Sequence, residues 1–82
     1  MIQTFRTSRT LKSVTEGDLN GVFQLLEVTN DGATDVDFTP NAVGSGFMGD
    51  PIPVKAGTTR TIPLSVYNFK ATGAITIVAY RL

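Results

Sequence analysis

The chain has 82 residues and contains no Cys, no His and no Trp, so at about 100 to 150 residues per domain it holds one hydrophobic core. Without Cys there is no disulfide framework and no thiolate metal site, and without His the usual zinc and haem ligands and most acid–base chemistry near neutral pH are lost. Seven basic residues balance seven acidic ones, and the pI near 6.1 argues against a nucleic-acid-binding surface, which needs a basic excess on one face.

In chain order, residues 1–15 are Thr-rich and basic, with Arg6, Arg9 and Lys12. They read as two edge strands, Ile2 to Thr7 and Thr10 to Thr15, or as an extended arm. Val22 to Thr29 reads as a strand covered on both faces, with Val22, Leu26 and Val28 on one side and Phe23 and Leu25 on the other. Asn30-Asp31-Gly32 supplies residues that tolerate positive φ and predicts a hairpin turn into Thr34 to Thr39. In that strand Val36 and Phe38 alternate with Asp35, Asp37 and Thr39, giving one buried face and one wet, acidic face.

Asn41 to Asp50 holds three of the eight glycines and reads as a loop. Phe47 and Met48 within it have two readings: a plug folded back onto one end of the core, or a partner-facing knob. Two prolines confine Asp50 to Val54 to an extended edge. Lys55 to Thr58 is a turn, Thr59 to Val66 a strand with Pro63 marking an edge or bulge, and Ala71-Thr72-Gly73 a short link into Ala74 to Leu82. That last segment is apolar on both faces and suits a central strand. The prediction is all-β: a compact antiparallel β-sandwich or small β-barrel of about seven short strands in one domain spanning residues 1–82.

The zero net charge hides a segregated order. Residues 1–15 carry +3, residues 16–50 carry −7 and residues 51–82 carry +4. Either neighbouring strands pair acid with base, or an acidic face of one copy meets a basic face of another, which sets register and orientation. A core this small is marginal alone, and with disulfides excluded the common remedy is oligomerisation or docking on a larger partner.

No constellation for catalysis emerges. The four serines have no His to activate them, and no phosphate-loop or dinucleotide fingerprint is present. Asp31, Asp35 and Asp37 supply carboxylates for a hard cation but do not match an EF-hand loop, and an acidic solvent face is the simpler reading. No enzymatic activity, no cofactor and no metal are expected. No apolar run approaches the roughly 20 residues of a membrane span, and MIQTFRTSRT lacks a signal-peptide stretch, so neither membrane nor export is expected.

Residues 25–40 (LLEVTNDGATDVDFTP), 52–66 (IPVKAGTTRTIPLSV) and 74–80 (AITIVAY) together resemble small virion structural proteins of tailed bacteriophages. The turn chemistry of Asn30-Asp31-Gly32 and of Ile52 to Thr59 carries the likeness, over roughly residues 22–80. The resemblance implies a capsid decoration (cement) protein made in the host cytoplasm and located in the virion, or else a tail, neck or fibre component. Its partner would be the major capsid protein or another virion protein, and it would act as a homo-oligomer, a trimer being favoured. On that reading Arg6, Arg9 and Lys12 grip an acidic neighbour and Phe47 and Met48 fill an apolar notch. A receptor- or glycan-binding module, for which Tyr67 and Phe69 would need exposure on one flat face, and a small host-protein inhibitor are the rivals.

Overall fold

The computed structural model describes residues 7–42, 46–47 and 51–81. These are all-β, with no helix among them: β1 (Thr7–Phe23), β2 (Leu25–Thr29), β3 (Val36–Ala42), β4 (Gly46–Phe47), β5 (Ile52–Val54), β6 (Thr59–Ile62) and β7 (Val66–Arg81). All pairings are antiparallel, and the sheet curls almost into a barrel.

The expected number of strands is present, but two are long, with β1 at 17 residues and β7 at 16. The two form one ladder from Thr7↔Arg81 to Phe23↔Val66, interrupted by register shifts. The residues read as a basic arm are therefore, from Thr7 onward, the first half of β1. On its other side β7 takes two partners in succession, β3 against Val66–Ala71 and β2 against Thr76–Tyr80. β2 carries β6, and β3 carries β4 and β5. The last strand is central, as its two apolar faces predict, and it runs unbroken through Gly73, where the sequence suggested a link. Conversely, Thr59 to Val66 is not one strand. Pro63, which has no N–H to donate, falls in the gap between β6 and β7.

Inward residues alternate as period two requires. Val36 and Phe38 are buried while Asp35 and Asp37 are exposed, and on β7 the inward row is Ile75, Ile77 and Ala79. Phe38 and Phe69 meet at 5.6 Å between ring centroids, tilted by 32°, a favourable aromatic arrangement.

The predicted hairpin at Asn30-Asp31-Gly32 is not formed, because β2 and β3 do not pair with each other. Among the described residues positive φ occurs at Ser13, Asn20, Gly21 and Gly57, so this segment lacks the backbone of a two-residue hairpin turn. It is instead an arch between the two halves of the sheet. The Asn30 side chain is fully buried and its Nδ2 donates to the Thr34 carbonyl at 2.8 Å and the Val54 carbonyl at 2.9 Å. Its Oδ1 accepts from the Gly32 N–H at 2.9 Å, an Asx turn. Gly32 keeps this turn uncrowded, since a Cβ there would lie 3.2 Å from that oxygen, a tight contact.

The Lys55–Thr58 turn is present as the sequence predicts. Gly57 sits at φ 74° and the Lys55 carbonyl accepts from the Thr58 N–H at 3.1 Å, the geometry of a type II turn. It too links the two halves, and it lies against the first arch: Asn30 N–H donates to the Thr58 carbonyl, and Gly57 N–H to the Asn30 carbonyl, at 2.9 and 2.7 Å. Removing the Asn30 amide strands two buried or partly buried carbonyls and one N–H. Asn30→Ala is expected to cost about 2 to 4 kcal/mol, read from the urea midpoint at unchanged slope; a loss below about 0.5 kcal/mol, the usual effect of a surface change, would contradict this role.

Candidate functional site

The residues that the sequence offered as partner contacts do not form one patch. Arg6 and Met48 lie outside the described residues. Phe47 lies in β4, whose backbone pairs Asn41↔Phe47 and Ala42↔Gly46, so the stretch read as a loop carries a short strand. Lys12 is exposed on the outer face of β1, whereas Arg9 stands directly opposite Ala79, an inward core residue. Residues opposite one another in a ladder share a face, so the two basic side chains point to opposite sides of the sheet. Arg9 is half-buried, and its Nε is buried without a hydrogen-bond acceptor.

Arg81, two residues beyond Ala79 on the same inward face, was not singled out from the sequence. Its guanidinium stacks over the Phe23 ring, 5.2 Å from the centroid, a cation–π contact. Gly21 makes room, since a Cβ there would lie 2.9 Å from Arg81 Nη1. The Arg9-x-Leu11 spacing held a usable signal: Leu11 packs against the core, and period two then turns Arg9 the same way.

A shallow groove of about 390 Å³ runs between Glu16-Gly17-Asp18 and Asn68-Phe69-Lys70. The register sets Glu16 opposite Lys70 and Asp18 opposite Asn68, so acid faces base across this part of the ladder. Asn68 is in turn opposite Asn41 on β3. This row of Asp18, Asn68 and Asn41 includes two buried amide oxygens, Oδ1 of Asn41 and of Asn68, that accept no hydrogen bond. Asp18 Oδ1 is occupied by the Asn20 N–H at 2.8 Å, where the chain bends through positive φ at Asn20 and Gly21.

Asp31, Asp35 and Asp37 do not gather into a cation site. Asp35 Oδ1 accepts the Ala56 N–H at 3.0 Å, while the Asp37 N–H donates to Thr72 Oγ1 at 3.0 Å. No acidic cluster that could hold a metal occurs among the described residues. Tyr67 and Phe69 do not form an exposed aromatic platform either, because Phe69 is a core residue.

On the outer face Tyr80 stands opposite Leu25, diagonal to Glu27. The hydrogen bond from its phenol to the Glu27 carboxylate, with partial burial and the carboxylate's charge adding, raises the Tyr80 pKa above its ordinary value. A pKa raised by folding contributes stability that is full below the ordinary tyrosine range and is lost as pH rises through the folded value. Glu27→Gln should bring the Tyr80 transition down toward that range in a tyrosinate absorbance titration; an unmoved transition would assign the shift to burial instead.

The chain matches no protein-family model, no curated protein and no solved structure.

Proposed function

We propose that the chain is a non-enzymatic structural protein of a phage particle, a capsid decoration protein that acts as a homo-oligomer and strengthens contacts between capsid subunits. The observation that supports this best is the outer edge of β1. Among the described residues β1 pairs with β7 alone, so the far edge of a 17-residue strand presents unpaired backbone groups to a neighbour. Such an edge is a template for strand addition, in which main-chain hydrogen bonds give affinity and side chains give specificity.

The register shifts on either side of Val14 and after Asp18, with positive φ at Ser13 and Asn20, break the edge into regular stretches at residues 7–11 and 16–18, which limits an added strand to one of them. Lys12 lies just past the first, and Glu16 and Asp18 are exposed in the second. A neighbouring edge of matching charge order is therefore favoured, and one of like charge is repelled. Repeated around a symmetric shell, contacts of modest strength add up to avidity that one copy lacks. The burial of Phe69 weighs against the glycan-binding alternative.

Light scattering at low and high salt, beside co-sedimentation with capsids stripped of the protein, tests the proposal. The expected result is a salt-sensitive homo-oligomer that pellets with capsids, with binding weakened by Lys12→Glu. A salt-indifferent monomer that stays in the supernatant would overturn it.

A further inference from the structure

The geometry points to an oxyanion-binding site at one end of the barrel, built from Arg9 on β1 and Arg81 on β7 and taking the phosphate or carboxylate group of a ligand. It is separate from the outer edge of β1 and does not depend on the assembly proposal.

Both side chains start from the inward face of one regular stretch of ladder, Thr7↔Arg81 to Leu11↔Ile77. Arg9 is directly opposite Ala79, which makes Arg81 its diagonal neighbour, at about 7 to 8 Å between Cα atoms. Ala79 is the smallest side chain in the inward row Ile75, Ile77, Ala79, so no large side chain of that row stands between the two arginines. The inward positions around Arg9 are Leu11 on its own strand, Ala79 and Arg81 on β7, and Leu26 opposite Ala79 on β2. None is a carboxylate.

Two half-buried arginines thus share a face with no carboxylate at the neighbouring inward positions among the described residues, and the Arg9 Nε is buried without an acceptor. A buried donor left unpaired and two like charges in a low-dielectric setting are each destabilising, and an oxyanion between them removes both penalties. The guanidinium fork matches the two oxygens of a carboxylate or phosphate edge. Arg81 already rests on the Phe23 ring, in room left by Gly21, so less side-chain freedom is lost on binding.

The test is a titration of the ¹⁵N-labelled protein with inorganic phosphate and, separately, with acetate, following the arginine Nε–Hε resonances against sodium chloride at equal ionic strength. Arg60, whose Nη1 donates to the Pro53 carbonyl at 3.1 Å, is the internal control. The resonances of Arg9 and Arg81 should shift together with one dissociation constant while that of Arg60 stays in place. Saturation by phosphate alone assigns the site to phosphate groups; saturation by acetate as well assigns it to carboxylates, the form an acidic protein side chain would present. Arg81→Lys keeps the charge but removes the fork, and should weaken binding about tenfold as read on Arg9. Arg9→Gln should do the same as read on Arg81. Parallel drifts of all three arginines matched by chloride, or no shift at all, would overturn the site.

Discussion

The fold turns on a single buried amide. Asn30 closes the seam between the β2–β6 half of the sheet and the β3–β5 half, using its side chain on Thr34, Val54 and Gly32 and its backbone on Gly57 and Thr58. Those five hydrogen bonds leave none of its groups unsatisfied, so its burial carries no penalty for an unpaired polar group. Arg60 reinforces the seam by reaching from β6 to the Pro53 carbonyl on β5. With the two halves tied there, β7 can pair with β2 and β3 in succession while β1 follows its other side. The curvature that results brings the end of β7 to the Phe23 ring at the end of β1, and it is this approach that holds Arg81 in place.

Local features were legible in the sequence because they rest on nearest-neighbour chemistry. The alternation of Val36 and Phe38 with aspartates reported its two faces correctly, and the Lys55–Thr58 turn formed around Gly57 as its residues require. Strand partners were not legible, since an Asn-Asp-Gly segment satisfies its local hydrogen bonds equally well in a hairpin or an arch. The deciding contact, Asn30 to Val54, spans 24 residues. The length of β1 was hidden for a related reason: the bulges at Ser13 and Asn20 shift the side-chain period, so the pattern of one long strand breaks into fragments that look weakly patterned.

The same limits explain the outcome at the candidate site. Charge drew attention to Arg9 and Lys12 as a pair, but strand geometry separates neighbours three apart, sending one inward and one outward. The segregation of charge along the chain does have a structural counterpart where Glu16 faces Lys70 across the β1–β7 ladder. Among the described residues, polar tension remains in buried side-chain groups without partners, the Arg9 Nε and the amide oxygens of Asn41 and Asn68. All three lie on strands that border β7 or on β7 itself, so the strand that organises the fold also gathers the groups with unused bonding capacity.

If the Asn30 seam carries the architecture, its turn amides should be as protected as those of the core. Native-state hydrogen exchange of the Asn30 and Gly57 N–H groups, compared with Ile77 in the centre of β7, measures this directly. The account predicts that all three exchange only through global unfolding, with the same free energy and the same denaturant dependence. Exchange of Asn30 and Gly57 at rates typical of exposed turns, while Ile77 stays protected, would contradict it.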